Sequence, residues 1–206
     1  MSDSRDQTIP DVSKTLIDLL KANFGSLQNQ VVLASPRNAG GSLLTLFLYK
    51  VLQNPDLKNE DGQVVPSGDG KGGLVEKRVP LFVDLYYLLT AHATGTPPDL
   101  LEAHKALSRA MRVFYDNGIL RGSLLKTLDA NKGLTADAVL RITLNPITIE
   151  DMTRIWSVFP DMPYELSVTY LVTPVPIESG SSLGTAPVVD QTHRQGLLAV
   201  PVGAGA

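Results

Sequence analysis

Several stretches of this 206-residue chain carry residue types that do chemistry. Gly180-Ser181-Ser182-Leu183-Gly184 fits G-x-S-x-G, the turn that presents a serine nucleophile. That chemistry needs a strand before Ser182, a helix after it, and an acid and a histidine spaced through a long following chain. Here Thr185-Ala186-Pro187 follows, and the later acid and histidine, Asp190 and His193, sit in the same short stretch. Ser67-Gly68-Asp69-Gly70-Lys71-Gly72-Gly73 looks like a phosphate loop, but Val65 stands where the first glycine belongs. Gly72 replaces the hydroxyl residue that would hold magnesium. Asp129-Ala130-Asn131-Lys132-Gly133 hints at a calcium loop whose glycine is one place early and whose twelfth position lacks glutamate. His104 and His92 have no second ligand nearby in sequence and read as core histidines. Lys105, Arg109 and Arg112 share one helix face, with Glu102 and Asp116 beside them, and read as a solvated face with some capacity to dock a protein. Trp156 reads as core. No catalytic constellation, metal site or cofactor site emerges from these residues.

Composition narrows the field further. With no cysteine there is no disulfide scaffold, thiol nucleophile, iron–sulfur site or cysteine-based zinc site. Three histidines leave little for a histidine-rich metal site. A net charge of −3 argues against a protein built mainly to grip nucleic acid. The start of the chain shows no basic segment followed by an apolar run, and the apolar stretches Leu43–Tyr49 and Leu85–Leu89 are far short of the ~20 residues of a membrane span. The expectation is a cytoplasmic place of synthesis and assembly, with no membrane insertion.

The elements that would position any site follow from periodicity. Pro10-Asp11 opens a helix to about Phe24, with Asp11 as N-cap, Gly25 as stop, and Val12, Leu16, Leu19, Leu20 and Phe24 on one face. Val31–Ala34 reads as a short strand. Ser42–Gln53 and Val79–Ala93 read as long strands, apolar on both faces as strands covered by helices are. Between them, 54–78 reads as a flexible loop, with at most modest pairing of Gln63–Val65. Thr96-Pro97-Pro98 starts the longest helix, which ends near Asn117-Gly118. Leu100, His104, Leu107, Met111, Phe114 and Tyr115 form its apolar stripe. Ile119–Leu128 reads as a helical turn or two, 129–135 as a turn and Ala138–Leu144 as a strand. A short helix from Ile149 to Phe159 follows, capped by Thr148 with Asp151 three residues on. The last strand runs from Tyr164 to about Ile177, and Pro174 and Pro176 place its second half at an edge.

From Glu178 the composition changes: aromatics and lysines vanish and small residues dominate. The apolar residues left there, Val188, Val189, Leu197, Leu198, Val200 and Val202, are the candidate protein-contact residues of an extended arm. The chain therefore divides into a flexible N-terminus (1–10), one α+β domain with a mixed sheet packed by helices (11–178) and an arm (179–206).

Six blocks in this order carry a family resemblance. They are Asp11–Leu20, Val32–Pro36, Leu46–Asn54, Pro80–Ala91, Leu144–Asp151 continuing to Ile155-Trp156-Ser157, and Pro163–Val168. Together, across about residues 11–179, they resemble the N-terminal domain of the cap proteins of extracellular contractile injection systems, which are phage-tail-like particles. The resemblance implies a tail-terminator-like fold and a homohexameric ring on the distal end of the inner tube and contractile sheath. It implies that the ring ends polymerisation and ties sheath to tube, with sheath protein, tube protein and other copies of itself as partners. It offers no enzymatic residues to carry over, and with the composition above the expectation is no enzyme, no cofactor and no nucleic acid. Other readings of the residues alone are a small serine hydrolase using Ser182 and an unrelated protein-binding module.

Overall fold

A computed structural model of the chain describes residues 7–58, 63–66, 74–121, 125, 138–179 and 182–185. It contains two compact units, one of residues 1–61 and 79–180, the other of residues 62–78 and 181–206.

The larger unit begins with α1 (Thr8–Phe24), three residues ahead of the expected start. Pro10 lies inside the first turn, where its missing N–H leaves no helical bond unmade. Asp11 is therefore not the cap. It sits in the first turn, where the helix dipole favours a carboxylate, and Gln7 is the capping position. Gly25, at φ 56°, ends the helix. A 3-10 turn leads to β1 (Val31–Leu33), then come β2 (Leu44–Gln53) and, after the chain has passed through the smaller unit, β5 (Leu81–Ala91). Helix α2 (Leu100–Asp116) follows. It starts at the Asp99 cap, after rather than at the two prolines, and the Asp99 side chain accepts from the Glu102 N–H at 3.0 Å. Ile119–Arg121 is a strand, β6, and not the expected helical turn. It pairs with β7 (Val139–Leu144), and this pairing supplies ladder bonds that an isolated turn lacks. Helix α3 (Ile149–Trp156) carries the expected cap, with Thr148 Oγ1 accepting from the Asp151 N–H at 3.1 Å. Strand β8 (Ser167–Ile177) completes the unit.

The sheet order is β1-β2-β5-β8-β7-β6, with β1 parallel to β2 and the other pairs antiparallel. The α+β class and the mixed sheet are as expected. Strand β8 is interior, yet its pairing with β7 stops at Thr173 while its pairing with β5 runs on to Ile177. Pro174 and Pro176 thus fall in a half that is open on one side among the described residues, where a missing N–H breaks no ladder.

Alternation along the strands sorts the core into two layers. Leu44, Leu46, Leu85, Tyr87, Leu89, Tyr170 and Val172 pack with α1 and α2 in one cluster. Leu88, on the other face of β5, packs with Met152, Trp156 and Phe159 of the α3 region, and Phe47 and Tyr49 of β2 join them. On α2 the buried face is Ala103, Ala106, Leu107, Ala110, Val113 and Phe114. The expected stripe was rotated from this by about one residue, and Leu100 and Tyr115 are 64% and 88% exposed. Three alanines at helical spacing let the helix backbone lie close to its neighbours, which a stripe of larger residues would prevent.

The start of β8 differs in a similar way. Tyr164 and Leu166 precede the strand and are exposed, whereas Ser167 and Thr169 are buried beneath the α3 layer. Their hydroxyls are satisfied there: Ser167 Oγ lies 2.9 Å from Thr90 Oγ1, and Thr169 donates to the Asn145 carbonyl at 2.5 Å.

In the smaller unit, β3 (Gln63–Pro66), β4 (Leu74–Lys77) and β9 (Ser182–Thr185) form an antiparallel sheet in the order β3-β4-β9. Gln63–Val65 pairs with Val75–Lys77, and Leu74–Lys77 pairs in turn with Ser182–Thr185. The segment 54–78 therefore carries a hairpin, and the first residues of the arm supply its third strand.

Candidate assembly surfaces

The residues with chemical potential are scattered through the fold. Ser182 opens strand β9 instead of standing at a strand-to-helix turn, so the elbow that would raise its nucleophilicity is not formed. The phosphate-loop-like stretch 67–73, the calcium-loop-like stretch 129–133 and the arm residues Val188, Val189, Leu197, Leu198, Val200 and Val202 lie outside the described residues. Among the described residues no three histidine or acidic side chains are grouped to hold a metal ion. No helix among them is long and apolar enough to cross a membrane.

His104 is exposed on α2, not buried as expected, because the helix turns its alanine stripe inward. His92, just after β5, is 5% exposed. Its Nε2 lies 2.9 Å from Thr45 Oγ1 on β2, and its Nδ1 meets the Glu165 carboxylate ahead of β8. A hydroxyl, an imidazole and a carboxylate in series have the order of a nucleophilic relay. Thr45 is 0% exposed, however, so no substrate reaches its oxygen. The trio instead bonds the ends of three segments across the sheet. A second polar knot lies deeper in β5, where the Asp84 carboxylate accepts from Asn54 Nδ2 at 2.9 Å and from the Thr173 hydroxyl. This knot ties β2, β5 and β8 together at the point where β8 opens on one side.

With the polar residues used inside, the outward surfaces are the remaining candidates. On α2, Leu101, His104, Lys105, Ser108, Arg109 and Arg112 line an open groove of about 730 Å³. Lys105 makes an exposed pair with Glu102 at 3.7 Å, and Arg109 lies over the Phe24 ring at 5.1 Å. The second groove, about 580 Å³, runs between α2 and β7. Tyr115 and Leu144 stand at its mouth, and Phe114 and Tyr170 stack edge to face at 4.9 Å along its wall. Around α3, Ile149, Val158 and Tyr164 are each more than half exposed. Tyr49, half-buried beneath this layer, has its phenol pKa raised by burial, with hydrogen bonds to Thr169 and Asn145 pulling the other way.

The fourth surface is an edge. Strand β1 pairs with β2 only from Leu44 to Leu46. Beyond it β2 continues to Gln53, bonded among the described residues to β5 alone, and a bulge at Tyr49 bends the strand. Lys50, Val51, Leu52 and Gln53 are all exposed, so both faces of this stretch and its outer edge meet solvent. The alternation of β2 had suggested a strand covered throughout, and this half departs from that. The one sign available in the sequence was the length mismatch between a short β1 and a ten-residue β2.

The fold and these surfaces can be set beside known proteins. No curated protein sequence matches the chain. A structure described as the sheath/tube terminator of the PVC extracellular contractile injection system, in its extended state, shares the fold at a TM-score of 0.59 and 19% identity. The match covers 93% of this chain and 65% of that one. A second structure, the tube-terminating cap of the anti-feeding prophage, matches at a TM-score of 0.53 and 16% identity, over 88% of this chain and 59% of that one. The chain thus spans less than two thirds of either relative's length. The family described as the Pvc16 N-terminal domain matches residues 11–191, which include every strand of both sheets, and the chain belongs to that family.

Proposed function

We propose that this protein is a structural cap of a contractile injection system. Six copies form a ring on the distal end of the inner tube and sheath, end the growth of both, and tie one to the other. The reading is supported by the family match over residues 11–191, together with a fold shared with chains described as a terminator and a cap. Physics makes the role coherent. A helical tube or sheath grows because each subunit leaves an open heterologous surface, and a terminator must match that surface on one side and close it on the other. Exposed apolar residues on α2, around α3 and along β2 offer one chain several distinct contact faces. In this reading the arm residues Val188, Val189, Leu197, Leu198, Val200 and Val202 contact a neighbour, sheath or tube, and the particle is assembled in the cytoplasm.

A tagged chain imaged on purified particles tests the placement. Label at one end of each particle, opposite the baseplate, is the expected outcome. Label spread along the sheath, or none on intact particles, removes the cap reading.

A further inference from the structure

The six-stranded sheet has several open stretches, and they are treated differently. The end strands β1 and β6 are three residues each, too short to template much. The open half of β8 carries Pro174 and Pro176, which offer no N–H to an incoming strand. The open half of β2, from Phe47 to Gln53, has no proline, and no strand lies opposite it among the described residues. A lysine is the common guard of such an edge. The one in this stretch, Lys50, is laid back over the Tyr86 ring at 4.9 Å, leaving Val51 and Leu52, each 43% exposed, to face solvent. An unguarded edge with apolar side chains on both faces is a template for strand addition.

The sequence supplies a matching strand. Twenty-one residues, 186–206, follow the last described strand, and Leu197-Leu198-Ala199-Val200 among them is an uncharged apolar run closed by Pro201. Its four residues equal the four exposed residues Lys50–Gln53 in length. Pairing them opposes no like charges and covers Val51 and Leu52 with aliphatic side chains. The eleven residues between Thr185 and Leu197 can span roughly 35–40 Å when extended, about the width of a domain of this size. Lys50–Gln53 are exposed, and a second copy, which carries the same apolar run, is the occupant that links one chain to the next.

We infer that the run Leu197–Val200 of one copy adds as a strand to the open edge of β2, at Lys50–Gln53, in a neighbouring copy. Donor and acceptor lie at different places on the same chain, so the contact is heterologous. Repeated around an axis it links each subunit to the next. The closure of these links into a ring rests on the cap reading, whereas the strand exchange itself does not.

Because the chain has no cysteine, single cysteines report the contact cleanly. Full-length Val51→Cys is mixed with Leu197→Cys, Leu198→Cys or Val200→Cys and treated with a short bismaleimide, both in solution and in assembled particles. At least one mixture should give a covalent dimer that neither variant gives alone. Adding Leu52→Lys to the Val51→Cys chain should reduce that dimer about tenfold without changing thermal stability. No dimer at any tail position in either setting, or linkage only when both cysteines are in one chain, overturns the inference. End-labelled particles that yield no dimer overturn the strand exchange alone. Dimers from chains that do not sit at particle ends overturn the cap reading alone.

Discussion

Replacing Tyr87 by alanine should lower the unfolding free energy by about 3–5 kcal/mol, the range for deleting a large buried aromatic. Tyr87 is 0% exposed at the centre of β5, inside the cluster that joins the sheet to α1 and α2. Its hydroxyl meets Ser13 Oγ of α1 at 2.8 Å, so it also bonds the first helix to the sheet. A domain is stable by only about 5–15 kcal/mol, so this change should unfold a detectable fraction of the chain. Tyr87→Phe keeps the ring and should lose only about 1 kcal/mol.

The same residue sets a pH dependence. Burial pushes the Tyr87 phenol up to about 12, against a smaller opposing pull from its bond to Ser13, and burial raises Tyr170 to about 12 as well. The folded chain therefore holds these protons between pH 10 and 12, where the unfolded chain releases them. The stabilisation is complete below pH 10 and falls by roughly 1.4 kcal/mol per pH unit per tyrosine up to about 12. Urea unfolding at pH 9 and 11 should show the loss, and Tyr87→Phe should make its slope shallower. An unchanged slope in that variant would assign the alkaline transition to other groups.

Trp156→Ala should remove about 3–5 kcal/mol from the opposite layer. Trp156 is 7% exposed and stacks edge to face with Phe159 at 5.8 Å and with Tyr164 at 5.4 Å. Among the described residues the layer it anchors has three other buried apolar residues, Leu88, Met152 and Phe159. An α-helix of eight residues cannot hold itself without that packing. Hydrogen exchange should therefore show α3 losing protection while α1 and α2 keep theirs. The indole Nε1 has no hydrogen-bond partner among the described residues. Trp156→Phe removes that buried donor as well as some volume, and the opposing effects should leave it within about 1 kcal/mol of the parent chain. Retained α3 protection in Trp156→Ala would show that the helix is held by something else.

Most of the framework was readable before the structure because it rests on local signals. Gly25 ends α1, Thr148 caps α3 and β5 alternates between two covered faces, each through interactions within a few residues. What was misread depends on partners distant in sequence. The apolar stripe of α2 was placed on its largest residues, Leu100 and Tyr115, although Ala103, Ala106 and Ala110 mark the buried side at the same helical spacing. Strand β6 exists because Val139–Arg141 lies beside it, and nothing in Ile119–Arg121 alone demands extension. The hairpin at Gln63–Pro66 and Leu74–Lys77 draws its third strand from residues more than a hundred positions away. The functional surfaces were the hardest to see. The open edge of β2 is defined by where β1 stops, and His92 finds Glu165 only after β5 and β8 pair. The resemblance to injection-system caps was legible because it needs only the order of blocks, and the family match covers residues 11–191.

The most direct test of the cap role is to leave this chain out of the particle and measure the lengths of tubes and sheaths by electron microscopy. The account predicts a broad length distribution and sheaths that separate from their tubes, with uniform length restored when the intact chain is supplied. Particles of normal, uniform length with sheath still fastened to tube in the absence of the chain would contradict it.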